Sequence, residues 1–141
     1  IEGQMRDMLA TGKPQTADDL RRLQELKTGA LITAAVHVGA LLGNADAVTT
    51  GRLIAYAGQI GFAFQIADDL LDIEGDPSLM GKSTGEDARQ KKATFPGLMG
   101  KEDARKLAHT LVEDSLAALA PFGENADPLR KIAAFIIERG Y

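Results

Sequence analysis

Apolar and polar positions along this chain recur with a period near 3.6, and no run alternates with period two. Thr16-x-x-Asp19 has the form of a capping box, with helical periodicity behind it. The pattern predicts one long helix, or two abutting ones, over residues 17–43. Its first half is charged (Asp18, Asp19, Arg21, Arg22, Glu25, Lys27), whereas Gly29–Gly43 carries no charge on any face. A second long helix is predicted from Thr49 to Ile73, ended by Gly75-Asp76-Pro77 because proline disfavours helix in the residue before it. Residues 75–100 read as loop, with Gly75, Pro77, Gly81, Gly85, Pro96, Gly97 and Gly100. A third helix is predicted over Lys101–Leu119, stopping at Pro121. Asp127-Pro128 supplies a cap and an N1 proline for a last helix running to Arg139. The expected class is all-α.

A helix apolar all round has to be surrounded by other helices. Gly29–Gly43 is such a helix and Leu53–Ala67 is nearly one. About five helices hardly suffice to bury both, so the pattern favours part of a larger helical protein, or cover by partner chains, over a complete small bundle.

Composition narrows the chemistry. The 141 residues carry 20 acidic and 16 basic side chains, a net charge of −4, which argues against broad nucleic-acid binding. There is no cysteine and there are two histidines, so a bound metal would be held mainly through oxygen: Mg²⁺, Mn²⁺ or Ca²⁺. Aromatic residues are 5% of the chain, thin for a β-sandwich and natural for a helical bundle. The longest uncharged stretches, Thr28–Ala45 and Leu53–Ala67, are too short or too interrupted by polar residues to read as membrane spans. No basic start leads into an apolar run, so no secretory signal is visible. The chain opens on Ile1 rather than methionine, so a preceding segment is expected. The reading is a cytoplasmic chain with no membrane span.

Asp68-Asp69-Leu70-Leu71-Asp72, preceded by Phe64-Gln65, is the sharpest chemical signal. On a helix Asp68 and Asp72 lie about 40° apart on one face, with Gln65 about 60° from Asp68 and Asp69 at the edge of the same arc. Phe62, Ile66, Leu70 and Ile73 fall on the opposite face. Residues 68–76 hold five acids and no base. A solvated acidic face is the usual meaning of such a run, but solvated faces mix signs, and these acids end an otherwise apolar helix. Like charges at i,i+4 repel, and a hard divalent cation held by Asp68 and Asp72 relieves that repulsion.

The following loop, Gly81-Lys82-Ser83-Thr84-Gly85-Glu86-Asp87, is glycine-rich and carries a lysine, with Arg89, Lys91, Lys92 and Thr94-Phe95-Pro96 behind it. It is not a phosphate-binding P-loop, since Asp76 stands where the first glycine belongs and no strand precedes it. Lysines beside a bound metal are nevertheless suited to a phosphate ligand, although Lys82 and Lys92 alone would read as surface residues. Lys27-Thr28 marks the point where the charged helix turns apolar, a place equally natural for a lysine whose stem lies along the core rim. Gly3-Gln4-x-x-Asp7 is a weaker feature.

Taken together, Gly3-Gln4-x-x-Asp7, Lys27-Thr28-Gly29-Ala30-Leu31, Phe64-Gln65-x-x-Asp68-Asp69-x-x-Asp72, Gly81-Lys82-x-x-Gly85-x-Asp87 and Lys92-x-Thr94-Phe95-Pro96 resemble the C-terminal half of the trans-isoprenyl diphosphate synthases (polyprenyl synthetases). The likeness is to the bacterial farnesyl diphosphate synthases, or geranyltranstransferases, in particular. Order and spacing agree over nearly the whole chain, through Phe135-Ile136-Ile137-Glu138-Arg139. That family has two aspartate-rich motifs on facing helices, and this chain carries the second. The resemblance implies that residues 1–141 are the C-terminal portion of one all-α isoprenoid-synthase-type domain and supply about half of a substrate site.

The resemblance also implies a reaction. An allylic diphosphate (dimethylallyl or geranyl) ionises at its C–O bond, the alkene of isopentenyl diphosphate attacks the cation, and a proton is lost, giving farnesyl or a similar short-chain diphosphate. Carried over by motif, Asp68 and Asp72 would hold Mg²⁺ (Mn²⁺ as an alternative), with Asp69 assisting or behind them. Lys27, Lys82 and Lys92 would contact diphosphate, and Gln4 and Asp7 would position substrate or water. Thr28 and Gln65 would lie near the reacting carbons, where a hydroxyl and an amide can stabilise positive charge. The apolar helices would wall the hydrocarbon from water. The whole protein would be a homodimer. Two other readings stay open: a non-catalytic subunit of a heteromeric synthase, which should have a degraded aspartate motif, and a metal-dependent terpene-cyclase-like protein, which needs no isopentenyl site.

Overall fold

In the computed structural model, which describes residues 2–74 and 92–138, the helix start at Thr16 forms as its spacing predicts. The Asp19 amide donates to Thr16 Oγ1 at 3.1 Å and the Thr16 amide donates to Asp19 Oδ2 at 3.2 Å. The Thr16 hydroxyl, which donates to the same carboxylate, and then the Thr16 amide hold the Asp19 carboxyl below its ordinary range. From this cap α2 (Ala17–Gln24) runs into a π-helical turn (Glu25–Gly29) and on into α3 (Ala30–Leu42) with helical dihedrals at both junctions. The predicted 17–43 helix is therefore one rod with a widened turn in its middle. α4 (Ala47–Glu74) is 28 residues, about 42 Å long at 1.5 Å per residue. α6 (Lys101–Ala118) and α7 (Asp127–Glu138) follow.

Three details differ from expectation. A helix, α1 (Glu2–Ala10), precedes the capping box; it buries only Gly3 and leaves Met5, Met8 and Leu9 exposed, so no apolar stripe announces it. Part of the expected 75–100 loop is a short helix, α5 (Phe95–Met99), whose N-cap Thr94 accepts from the Gly97 amide. Asp127 is the first residue of α7 rather than its cap, because a 3₁₀ turn (Glu124–Ala126) leads directly into it. The predicted stop at Gly75-Asp76-Pro77 lies outside the described residues, as does Arg139. Among the described residues all regular structure is helical.

α4 is the central element and packs most extensively against α6, then against α3. Tyr56, Ala57, Ala63, Ile66, Ala67 and Leu70 are buried on it, facing Ala104, Ala108, Leu111 and Val112 of α6 and Ala133 and Ile136 of α7. The alanines on both sides let the two backbones approach closely. Ile73, expected on this apolar face, is 42% exposed instead. Arg130 closes the α6–α7 corner: its guanidinium donates to the carbonyls of Leu119, Phe122 and Gly123 in the connection between the two helices.

The Tyr56 hydroxyl donates to the Leu129 carbonyl at 2.8 Å, tying α4 to α7. Burial pushes the Tyr56 phenol from its ordinary 10.0 up to about 12. The unfolded chain loses this proton at lower pH than the folded one. The stability it contributes is therefore complete below pH 10 and is lost as pH rises through about 12. Tyr56→Phe should cost about 1 kcal/mol at pH 8 by removing this hydrogen bond, and should flatten the decline between pH 10 and 12. Urea midpoints of both proteins across that range check it; parallel declines would contradict it.

α3 shows the opposite of burial. Only Ala40 is buried on it, while Leu31 is 74%, Leu41 62% and Leu42 85% exposed. The uncharged helix is bare of the neighbours its composition requires. The run Ala17–Leu42 is by length and hydropathy alone apolar enough to cross a membrane, with 11% of its most apolar window buried; a bundle helix lacking its neighbours has the same make-up.

Candidate active site

Three separated stretches converge at the C-terminal end of α4. The π-turn is pressed between two glycines. A methyl at Gly3 of α1 would overlap the backbone of Leu26 and Lys27, and one at Gly61 of α4 would come within 3.2 Å of the Gly29 Cα. Only glycine permits the first approach, and it sets α1 directly against the turn bearing Lys27 and Thr28. Single π-turns inside α-helices are frequent at functional sites. From the far side of the chain, residues 92–95 are drawn in by the Phe95 amide, which donates to Asp69 Oδ2 at 3.2 Å. The Phe95 ring also meets Phe62 edge-on at 5.0 Å.

The result is a polar cleft of about 200 Å³, lined by Asp7 of α1, Gln24 and Lys27, then Gln65, Asp68, Asp69 and Asp72 of α4, and Lys92, Ala93 and Thr94. Lys27 Nζ and Asp7 Oδ2 are 2.7 Å apart, and Lys92 Nζ stands 4.0 Å from the same oxygen. One carboxylate thus gathers two ammonium groups opposite the aspartates of α4. The Thr28 hydroxyl donates to Gln65 Oε1 at 3.1 Å, so the two residues expected beside the reacting carbons are directly bonded.

Of the residues singled out in the sequence, Asp7, Lys27, Gln65, Asp68, Asp69, Asp72 and Lys92 share this cleft, and Thr28 joins it through Gln65. Gln4 does not: it is exposed on α1 and takes no part in the lining. Lys82, with Gly81–Asp87, lies outside the described residues. Asp69, grouped with the metal-holding aspartates in the sequence, is 3% exposed and turned inward to Phe95 and Gln65. Among the described residues no three His, Cys, Asp or Glu side chains converge as a ready-made metal cage.

The donor set fits Mg²⁺ on these terms. Asp68 and Asp72 offer hard oxygen, and among the described residues the cleft lining holds neither imidazole nor sulfur. Mg²⁺ keeps several waters and takes one or two carboxylates plus phosphate oxygens rather than a full protein shell.

Gln24 was not legible as a site residue. It is 7% exposed, its Oε1 is buried without a hydrogen-bond partner among the described residues, and it also lines an apolar cleft of about 340 Å³ with Gly29, Ala30, Ala34, Gly58 and Phe62. One signal existed: Leu20, Leu23 and Gln24 fall at i, i+3 and i+4, so an amide occupies the buried stripe of α2 one turn before Lys27.

Comparison with known proteins places the chain in a family. The family described as Polyprenyl synthetase matches residues 1–121. The farnesyl diphosphate synthase of Escherichia coli is 43% identical over 141 residues, covering 97% of this chain and 47% of that protein. A geranylgeranyl diphosphate synthase of Cyanophora paradoxa is 42% identical over 140 residues, covering 99% of this chain and 47% of its own length. The crystal structure of an FPP/GFPP synthase from Zymomonas mobilis superposes with a TM-score of 0.82 at 43% identity, over 96% of this chain and 44% of that one. The chain spans about half the length of the curated relatives it matches.

Proposed function

Since the chain belongs to the polyprenyl synthetase family, we propose that residues 1–141 form the C-terminal portion of one synthase domain and supply the diphosphate-ionising half of a prenyltransferase site. The whole protein would join isopentenyl diphosphate to dimethylallyl or geranyl diphosphate, giving farnesyl or a similar short-chain diphosphate. The observation that carries this reading is the convergence of Asp68 and Asp72 with Lys27, Lys92 and the Thr28–Gln65 pair in one cleft, from segments up to 65 residues apart (27 to 92).

The demand of such a reaction is the charge that gathers on the leaving diphosphate as its C–O bond breaks. Mg²⁺ held by Asp68 and Asp72 would supply counter-charge there when bound. Lys27 and Lys92 are held near the cleft by Asp7, partly buried and aimed the same way, so their ammonium groups need little reorganisation to meet a phosphate oxygen. Lys82 belongs to this set by motif. Thr28 and Gln65 present oxygen atoms where positive charge would develop, and the apolar faces of α3 and α4 would exclude water that quenches a cation. Asp7 would act by orienting lysines, and Gln4, exposed on α1, by meeting substrate or water from outside the cleft. Cytoplasmic location and homodimerisation of the whole protein are part of the same proposal.

The direct test is C15 product from the whole protein with geranyl diphosphate, isopentenyl diphosphate and Mg²⁺; no condensation would refute the reading. Metal binding gives a second. With Asp68 and Asp72 as the carboxylates placed to hold it and no three-ligand cage among the described residues, Mg²⁺ should bind appreciably only together with pyrophosphate. Calorimetry with and without pyrophosphate checks it, and tight binding of Mg²⁺ alone would be the contrary result.

A further inference from the structure

Asp69 has a different task from its neighbours. Burial does not set it apart, since Asp69 is 3% and Asp72 5% exposed, but on Asp69 the Oδ2 atom accepts from the Phe95 amide and Oδ1 accepts from Gln65 Nε2 at 3.4 Å. The other end of the Gln65 amide, Oε1, accepts the Thr28 hydroxyl at 3.1 Å. Thr28, Gln65, Asp69 and Phe95 thus form one chain of hydrogen bonds across three elements.

The two ends of a glutamine amide are nearly alike in shape and opposite in polarity, so its partners decide which way it points. Thr28 cannot decide, because a hydroxyl both donates and accepts and would satisfy either orientation. An ionised carboxylate only accepts, so it admits the NH₂ end alone. The charge of Asp69 is therefore what commits the Gln65 carbonyl to the Thr28 side.

We propose that Asp69 is a positioning residue and not a metal ligand: it sets the polarity of the Gln65 amide, so that an oxygen rather than an NH₂ group stands beside the carbon losing diphosphate. The consequence for rate rests on the prenyltransferase reading; the amide orientation does not. An NH₂ end turned toward a developing cation would repel it where the carbonyl attracts it, and this dipole costs no reorganisation during the reaction because it is already fixed. The same carboxylate, through the Phe95 amide, holds the segment that carries Lys92. Asp68 and Asp72 remain as the cation-facing pair.

The experiment uses the whole protein. In Asp69→Asn the new NH₂ group faces Gln65 and turns its amide over, with Thr28 then accepting. We expect kcat to fall about 10²-fold, on the scale of losing one oriented dipole. Mg²⁺–pyrophosphate affinity by calorimetry should stay within about twofold, because Asp69 bonds Gln65 and Phe95, neither of them placed to hold the metal, whereas Asp72→Asn should weaken it about tenfold or more by removing a carboxylate charge from the ion. In a Gln65→Met background, Asp69→Asn should add less than about twofold, since its effect runs through the absent amide. A metal-ligand role predicts the reverse on both counts, weakened Mg²⁺–pyrophosphate binding and a full loss on top of Gln65→Met, and either result overturns the proposal. Cross-relaxation in selectively labelled protein reads the orientation without activity or any substitution. Wild-type Gln65 amide protons should lie away from the Thr28 side chain, and finding them against it also overturns the proposal. A wild-type protein with this orientation but no condensation would sink the prenyltransferase reading and leave the role of Asp69 standing.

Discussion

Asp68→Ala in the whole protein should lower kcat by about 10²- to 10³-fold with a smaller change in KM, the signature of losing charge stabilisation made mainly in the transition state. Asp68 lines the polar cleft across from Lys27 and Lys92, one helical turn from Asp72, on the face of α4 that also presents Gln65. Removing it leaves Asp72 alone of that pair, and Asp69, although on the same lining, is engaged with Phe95 and Gln65. Asp114→Ala, an acid on the exposed side of α6, is the matched control and should change kcat by less than about twofold. Steady-state kinetics on both variants decide the matter. Equal losses would mean that the aspartates act only through overall charge, and an unaffected Asp68→Ala would remove the diphosphate site from this cleft.

The second large effect concerns the 141-residue chain by itself. It should give no C15 product and should bind a hydrophobic dye or self-associate. Leu31, Val38, Leu41 and Leu42 on α3 are all more than half exposed, and Met5, Met8 and Leu9 on α1 add to the apolar surface. Monomeric proteins rarely leave contiguous apolar patches beyond roughly a few hundred Å² open to water. The sequence also carries one Asp-Asp-x-x-Asp motif, Asp68 to Asp72, and the chain spans about half of its relatives. The assay combines the purified chain with geranyl diphosphate, isopentenyl diphosphate and Mg²⁺, and sizes it by sedimentation. Robust turnover by a monodisperse 15.0 kDa species would contradict both the incomplete site and the uncovered face.

What could be read from the sequence is what near neighbours decide. The Thr16–Asp19 capping box, the all-α class and the long helices follow from bonds and periodicities spanning a few residues, so the spacing carried them. The clustering of Gln65, Asp68 and Asp72 on one face of α4 is of the same kind, since helical geometry alone places them together. The bareness of α3 was legible too, because an uncharged helix states its need for cover whether or not cover is present. Other features depend on what arrives from a distance. α1 carries no apolar stripe and is seated by one glycine against the backbone of residues 26–27. The π-turn has no local sequence mark. Asp69 and Asp68 are adjacent, chemically identical and both on the cleft lining, yet the Phe95 amide, 26 residues on, donates to the first. Gln24 became a cleft residue only when α4 and residues 92–94 closed around it. Local chemistry chose the helices and the faces; contact with remote backbone chose which carboxylate holds an amide in place.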